Sequence, residues 1–322
     1  MPARLSLRVF PSLMIAAALA GCAGGIGEIA EPSALTGHHP FPLREASPGF
    51  DLHEVHGIDI SKYQGEIDWQ AVKGAGIGFA FIKATEGTDL VDRRFQANWA
   101  GAKAAGVARG AYHFSYWCTP MAAQFENFRR IVPVEPDSMP PVLDLEWNHQ
   151  SPTCPKKVPK EQALAEIRTW VQLAERHYGK KPILYVEIPF YRDVLSGGEF
   201  SDYPLWLRSV AAPPQVRYPG RRWAFWQYTD KGRVAGIGPR VDKNVFAGTR
   251  AEWQRLVASN FSHQGTATAG RPSSPPASPA APAPTLVATT PAATAATVQA
   301  NVPQQGNAAA PAPAMPAQQA SR

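Results

Sequence analysis

The sequence predicts an α/β fold in which a parallel sheet closes into a small barrel. From residue 55 to about residue 260, short apolar runs alternate with amphipathic, helix-like segments. Such alternation is typical of βαβ units with a parallel sheet. Eight strand candidates lie within this stretch, which favours a barrel over an open sheet.

The predicted elements follow one another with few interruptions. The strand candidates are residues 57–60, 78–84, 107–114, 142–146, 182–186, 205–208, 223–228 and 240–244, and the helix candidates are 69–75, 92–105, 119–132, 160–178 and 251–257. Asp68 and Thr119 are candidate helix N-caps, because their side-chain oxygens can accept hydrogen bonds from the first backbone N–H groups of a helix. Gly106 and Gly179 mark two helix ends.

A pair of acids ends the strand candidate in the middle of the chain. Asp144 and Glu146 are two residues apart in Pro140–Trp147, so in a strand both side chains point to the same face. Two close carboxylates at a buried strand end raise the pKa of one of them. One acid can then stay protonated while the other is ionised, as glycosidic bond cleavage requires. Two solvated acids at a strand end are the alternative.

The composition suggests an anionic partner without identifying it. The formal net charge is +6 and the sequence pI is about 9.3, which suits nucleic acid, a membrane or a cell-wall polymer. No Lys/Arg block resembles a nucleic-acid-binding motif, and no Cys/His cluster has metal-ligand spacing. We therefore expect no nucleic acid, no metal and no cofactor, and we expect a monomer.

Both ends of the chain differ in composition from the predicted barrel. Residues 1–22 have the charged start and short apolar core of a secretion signal. They end in Leu19-Ala20-Gly21-Cys22, which resembles the bacterial lipobox, so we expect Cys22 to carry a lipid. Residues 23–54 are then a flexible tether, and the Ala/Pro/Thr-rich residues 261–322 a disordered tail. The predicted location is the periplasmic side of the outer membrane.

The two remaining cysteines are candidates for a disulfide. Export would place Cys118 and Cys154 in an oxidising compartment. Each follows a strand candidate, so both would lie on loops at one rim if those strands are neighbours. Two unrelated thiols are the alternative.

Several motifs in order resemble the family 25 glycoside hydrolases, the N-acetylmuramidase-type lysozymes. The matching pieces are Gly57-Ile58-Asp59-Ile60-Ser61, Tyr63-Gln64-Gly65, Phe81-Ile82-Lys83-Ala84-Thr85-Glu86-Gly87, Gly110-Ala111-Tyr112-His113-Phe114, Asp144-Leu145-Glu146, Pro182-Ile183-Leu184-Tyr185, Tyr203-Pro204-Leu205-Trp206-Leu207, Trp226-Gln227-Tyr228-Thr229 and Val241-Asp242-Lys243-Asn244. The resemblance implies an irregular TIM-like barrel with eight strands and fewer helices, and it covers the predicted domain at residues 55–260.

The resemblance also implies roles for named residues. Its catalytic acids correspond to Glu146 as proton donor, to Asp144 as the group that stabilises or attacks the oxocarbenium centre, and to Asp59 and Asp242 as supporting acids. The implied substrate-binding residues are Tyr112, Tyr185, Trp206, Gln227 and Glu86. For Glu86 the alternative is a simple salt bridge with Lys83 at the barrel rim. The implied reaction is hydrolysis of the β-1,4 bond between N-acetylmuramic acid and N-acetylglucosamine in peptidoglycan.

The chain departs from the family pattern in three cleft loops, and two other functions stay open. The departures are Ser115-Tyr116-Trp117-Cys118, Val186-Glu187 and Arg208-Ser209-Val210. One alternative is a peptidoglycan-binding lipoprotein without turnover. The other is a hydrolase of another amino-sugar polymer, such as chitin.

Overall fold

The barrel closes because its first strand pairs with both the second strand and the last. The computed structural model describes residues 39–46 and 49–262. The strands are β1 His56–Ile60, β2 Ile77–Glu86, β3 Leu90–Val91, β4 Ala108–Phe114, β5 Val142–Leu145, β6 Ile183–Val186, β7 Leu205–Arg208, β8 Phe225–Gly232 and β9 Val241–Phe246. All of them except β3, which forms a hairpin with β2, form one closed ring, β1-β2-β4-β5-β6-β7-β8-β9.

The predicted α/β barrel is confirmed, but its sheet is not wholly parallel. Strand β9 runs antiparallel to both β8 and β1, whereas all other neighbours in the ring are parallel. Only residues 233–240 connect β8 to β9. A parallel connection needs a crossover of a dozen or more residues, so this short link forces the chain to reverse.

Seven helices accompany the described strands, and their distribution is uneven. They are α1 Trp69–Gly74, α2 Phe95–Ala104, α3 Met121–Ile131, α4 Lys160–Tyr178, α5 Ile188–Phe190, α6 Pro214–Arg217 and α7 Arg250–Ala258. A π-helical turn, Tyr191–Leu195, continues α5. The longer helices α2, α3 and α4 precede β6, so the second half of the barrel has a thinner outer layer, as the resemblance implies.

Local signals explain where some helices begin and end. The Asp68 carboxylate accepts hydrogen bonds from Gln70 N and Ala71 N, at 3.0 and 3.1 Å, and so caps α1 as predicted. Gly179 ends α4 in the left-handed conformation, with a φ of 65°. Thr119 does not cap α3. That helix begins after Pro120, and the Glu166 side chain of α4 accepts the N–H of Met121 at 2.7 Å.

The barrel interior is filled by aromatic side chains below a polar layer. Phe79, Phe81, Phe225 and Phe246 are fully buried and pack against one another, with ring centroids 5.2 to 5.6 Å apart. Gly57 makes room for them, because a Cβ there would overlap the Phe79 ring. This packed floor leaves chemistry to the opposite end of the barrel, where the parallel strands end.

The described part of the expected tether packs on the barrel. Phe41 is 4% exposed and contacts Phe225 and Phe261, and Arg44 pairs with Trp223 through two backbone hydrogen bonds of 3.0 and 2.8 Å. Phe50 stacks on Tyr228 of β8, at a centroid distance of 4.3 Å. Apolar burial therefore holds this segment where a flexible tether was expected.

Phe261 is also buried, so the domain reaches one residue into the predicted tail. The secretion signal, Cys22 and the tail beyond residue 262 lie outside the described residues. Within the described residues, no helix has the length and apolar character needed to cross a bilayer.

Candidate active site

The structure brings the four predicted acids to one end of the barrel. Asp59 lies near the end of β1, Asp144 lies in β5, and Glu146 directly follows β5. Asp242 is the second residue of β9, and because that strand is antiparallel, its start lies at the same end of the barrel. Asp59 and Asp242 are direct cross-strand partners.

Asp59 and Asp242 form a pair supported by amide side chains. The Asp59 Oδ2 atom accepts hydrogen bonds from Asn244 Nδ2 at 2.8 Å and from Gln227 Nε2 at 3.0 Å. Gln227 Nε2 also lies 3.3 Å from Asp242 Oδ2. Tyr185 in turn donates to Gln227 Oε1 at 3.0 Å. These donors compensate a negative charge on Asp59 although its side chain is buried.

Asp59 and Asp242, the first pair of acids, share a proton. Burial, followed by the Asp59 charge, raises the pKa of Asp242 to about 9, and the two carboxyl groups are hydrogen-bonded to each other. Burial also raises the pKa of Asp59, but Asn244, Gln227 and Asp242 counteract it. At neutral pH, Asp242 is therefore the protonated partner and Asp59 is the acceptor.

Asp144 and Glu146 form a second pair with less hydrogen-bond support. Asp144 is 7% exposed, and its Oδ1 atom has no hydrogen-bond partner among the described residues. Burial, followed by the Glu146 charge, raises the pKa of Asp144. Burial and then the Glu187 charge raise the pKa of half-buried Glu146 to about 7. Two acids so strongly coupled lose their protons in separate steps, so the pair holds one proton over an intermediate pH range.

Two cations face these acids from other strands. Lys83 of β2 donates to Glu86 Oε2 at 2.6 Å, and Tyr116 donates to the other oxygen of Glu86. Arg208 of β7 donates to Asp230 Oδ2 at 3.0 Å. The charges of both Lys83 and Arg208 act on Glu146 and favour its ionised form. Within the described residues, no group of three His, Cys, Asp or Glu side chains could hold a metal ion.

The predicted substrate-binding residues lie below or beside the acids. Trp206 is only 2% exposed, stacks on Phe81 at 4.2 Å, and donates to Asn244 Oδ1 at 2.7 Å. Tyr185 and Gln227 are also buried and belong to the Asp59 network. Tyr112 is half-buried at the edge of this layer. Trp206 and Gln227 thus have a visible supporting role, and their contact with sugar stays a prediction.

Glu86 is bound by Lys83 and Tyr116, as the salt-bridge alternative for this residue anticipates. Burial alone would raise the pKa of Glu86, but the charge and hydrogen bond of Lys83, together with the hydrogen bond from Tyr116, outweigh it, so the pKa is lowered. Glu86 therefore presents a negative charge that is already paired. Tyr116, one of the departures from the family pattern, joins this cluster.

The predicted disulfide between Cys118 and Cys154 is confirmed. Their Cα atoms are 5.8 Å apart. The bond joins the loop after β4 to the loop after β5, since those strands are neighbours. The same rim carries Glu146 and Trp147, so the disulfide crosslinks the two loops beside the second pair of acids.

Sequence reasoning assigned no role to Asn244 or Arg208. A signal existed for Asn244, because it is two residues from Asp242 and so lies on the same strand face. Arg208 stood out only as a departure from the family pattern. Its proximity to the acids depends on the closure of the barrel and has no local signature.

Comparisons with known proteins agree with this architecture. The family model described as Glycosyl hydrolases family 25 matches residues 58–237. The uncharacterised protein YegX of Escherichia coli strain K12 is 38% identical over 213 residues, covering 64% of this chain and 74% of its own. Lysozyme M1 of Streptomyces globisporus is 35% identical over 220 residues, which are 65% of this chain and 72% of that protein.

A solved family 25 glycosyl hydrolase from Bacillus anthracis superposes with a TM-score of 0.59 and is 34% identical. The match covers 65% of this chain and 96% of that one. The family resemblance predicted from the motifs is confirmed. This chain belongs to glycosyl hydrolase family 25 and is a glycoside hydrolase.

Proposed function

We propose that the protein is a peptidoglycan hydrolase that cleaves the β-1,4 bond between N-acetylmuramic acid and N-acetylglucosamine. The observation that carries this proposal is the second pair of acids, Asp144 and Glu146, at the open end of a family 25 barrel. Similarity to a protein named lysozyme M1 supports the choice of substrate. A raised pKa for Glu146 suits a group that must donate a proton near neutral pH.

In the first step, protonated Glu146 donates its proton to the glycosidic oxygen as the bond to the anomeric carbon breaks. Positive charge then develops at that carbon. Asp144 stabilises or attacks this centre, since its Oδ1 atom has no protein partner to compete for it among the described residues. In the second step, Glu146 takes a proton from water as the water oxygen bonds to the anomeric carbon, and, where Asp144 has attacked, its bond to that carbon breaks and its carboxylate is released. Glu146 is thereby ready for the next cycle.

Asp59 and Asp242 serve this chemistry without exchanging protons with the substrate. Their shared proton and amide partners hold them in one arrangement beside Tyr185 and Gln227. We assign Asp59 and Asp242 two roles. They shape the sugar site, and they maintain the electrostatic field around Asp144 and Glu146.

The protein is exported to the cell envelope in this proposal, where its substrate lies. The disulfide accords with an oxidising compartment. A lipid on Cys22 would anchor the chain to the periplasmic side of the outer membrane, as a monomer without a cofactor.

The test is digestion of purified peptidoglycan, with the reducing ends of the products identified by mass spectrometry after borohydride reduction. We expect fragments that end in reduced N-acetylmuramic acid, and none from the matched Glu146→Gln variant. Ends in reduced N-acetylglucosamine, or faster release from chitin, would identify a different glycosidase. Binding to peptidoglycan without any release would instead support the binding lipoprotein.

A further inference from the structure

Glu187 contacts the main chain on both sides of Glu146. Its backbone N–H donates to Leu145 O at 3.4 Å, and its side-chain Oε1 accepts the N–H of Trp147 at 3.1 Å. Glu146 is the residue between these two contacts. Glu187 follows β6, so its backbone continues the hydrogen-bond ladder between β5 and β6. Its carboxylate then accepts the N–H of Trp147, two residues beyond the end of β5.

The remaining groups of this short segment are also held. Trp117 Nε1 donates to Glu146 O at 2.6 Å, and Trp147 Nε1 donates to Asp193 Oδ2 at 2.8 Å. The Trp147 ring packs against Trp117 and Phe190, with centroids 5.3 and 4.7 Å away. Because Glu187 supplies one anchor through a carboxylate, a change at this residue alters both the anchoring and the charge beside Glu146.

The charges around Glu146 oppose one another. Glu187, which follows β6, favours its protonated form, whereas Arg208 of β7 and Lys83 of β2 favour its ionised form. The charge of Glu146 in turn raises the pKa of Asp144. Glu187 itself is buried enough for its pKa to be raised, and it faces Arg208, together with His149 and Lys157 from the loop after β5. After burial, Glu187 is the largest influence that raises the pKa of Glu146.

We propose that Glu187 is a positioning residue for Glu146, which fixes the main chain around the proton donor and holds a negative charge beside it. This inference rests on the proposed role of Glu146 as acid and base. It gives one of the departures from the family pattern a purpose: the added carboxylate extends the pH range over which this enzyme keeps its acid protonated.

The first test is the pH profile of kcat/KM for the Glu187→Gln variant of the full chain on peptidoglycan. Glutamine keeps an oxygen that can accept the Trp147 N–H and removes only the charge. The proton donor works in its protonated form, so losing the neighbouring anion moves the alkaline limb to lower pH, by about 0.5 to 1 unit. The matched control is Glu126→Gln on α3, which removes an exposed charge. An unmoved or upward-moved limb would overturn the electrostatic part.

The second variant, Glu187→Ala, also removes the acceptor for the Trp147 N–H. We expect the same shift together with a fall of the acidic plateau by about tenfold, because small displacements of a catalytic group are costly. A plateau equal to that of Glu187→Gln would overturn the positioning part.

A readout without turnover separates this inference from the proposed function. The Glu146 carboxyl group can be titrated by carbon-13 NMR in the full chain, with and without Glu187→Gln, and with Glu146→Gln to assign its signal. A lower pKa in Glu187→Gln supports the inference even if peptidoglycan is not cleaved. Cleavage of peptidoglycan with an unchanged pKa refutes the inference alone.

Discussion

Two pairs of acids meet at one end of this barrel and are supported in opposite ways. The first pair, Asp59 and Asp242, shares a proton and is hydrogen-bonded to Gln227 and Asn244. The second pair, Asp144 and Glu146, includes a buried oxygen with no partner among the described residues. Hydrogen-bond donors thus hold the carboxyl groups of the first pair, whereas the described residues offer no donor to one buried oxygen of the second pair.

The difference follows from where the donors come from. Strand β9 alternates Asp242 and Asn244 on one face, and Gln227 lies opposite Asn244 on β8. The antiparallel β8–β9 hairpin therefore brings Asp242, Gln227 and Asn244 together beside Asp59 of β1. Around β5, the parallel strands instead bring tyrosines from β4 and β6, Lys83 from β2 and Arg208 from β7, and they give the second pair fewer hydrogen-bond donors.

The largest expected effect is that of Glu146→Gln. The amide cannot donate a catalytic proton, so kcat on peptidoglycan should fall about 10²–10⁴-fold. In the unmodified protein, kcat/KM should fall as the pH rises through about 7, the pKa of Glu146. Turbidity loss of purified sacculi measures both. Near-normal turnover by this variant would remove Glu146 from the mechanism.

A somewhat smaller loss is expected for Asp144→Asn. The substitution preserves shape and removes the charge that faces the oxocarbenium centre, so kcat should fall about 10²-fold or more. KM should change little, because the effect is confined to the transition state. Steady-state kinetics on a soluble glycan fragment separate the two constants, and an effect confined to KM would contradict this role.

Asp242→Asn should have a much smaller effect on turnover, although it is also a single acid-to-amide change. Asp242 is already protonated at neutral pH, so the amide replaces one neutral donor by another. We expect a loss of less than about tenfold in kcat/KM, the equivalent of one neutral hydrogen bond. A loss as large as that of Asp144→Asn would show that the two pairs do not differ as described.

The same variant should change how stability depends on pH. The folded-state pKa of Asp242, about 9, is above the ordinary 3.8, so the folded state binds this proton more tightly. This contribution stabilises the protein at low pH and is lost as the pH rises from about 4 towards 9. Urea midpoints at pH 5 and pH 8 should therefore differ less in Asp242→Asn than in the unmodified protein.

The smallest effect on turnover is expected for the double change Cys118→Ser and Cys154→Ser. Losing this crosslink should lower the free energy of unfolding by about 3 kcal/mol. At 25 °C, kcat should stay within about twofold, because Asp144 lies on β5 and Glu146 directly after it. Urea unfolding and sacculus digestion measure the two quantities. A tenfold loss of kcat would mean that the crosslinked loops, more than the strands, position the second pair.

Much of the fold could be predicted because its signals are local. Each of the eight barrel strands overlaps a predicted apolar run, and α4 was predicted with its observed bounds, Lys160–Tyr178. The period of apolar residues and the glycine at the helix end are enough for that. Asp144 and Glu146 were predicted from a short motif at the end of one strand candidate, whereas Asp59 and Asp242 were implied by the family resemblance.

What the sequence determined by itself is thus the family, the order of strands and helices, and which four acids are candidates for the site. Only the tertiary structure decided the pairing of β9 with β1, the replacement of the Thr119 cap by Glu166, and the packing of Phe41 and Phe50 on the barrel.

It alone also decided which acids receive donors, and that Glu187 bonds across to Trp147. These features join residues that are tens of positions apart along the chain. A pattern within one segment cannot encode such contacts, because burial and charge at each site depend on what the rest of the barrel brings to it.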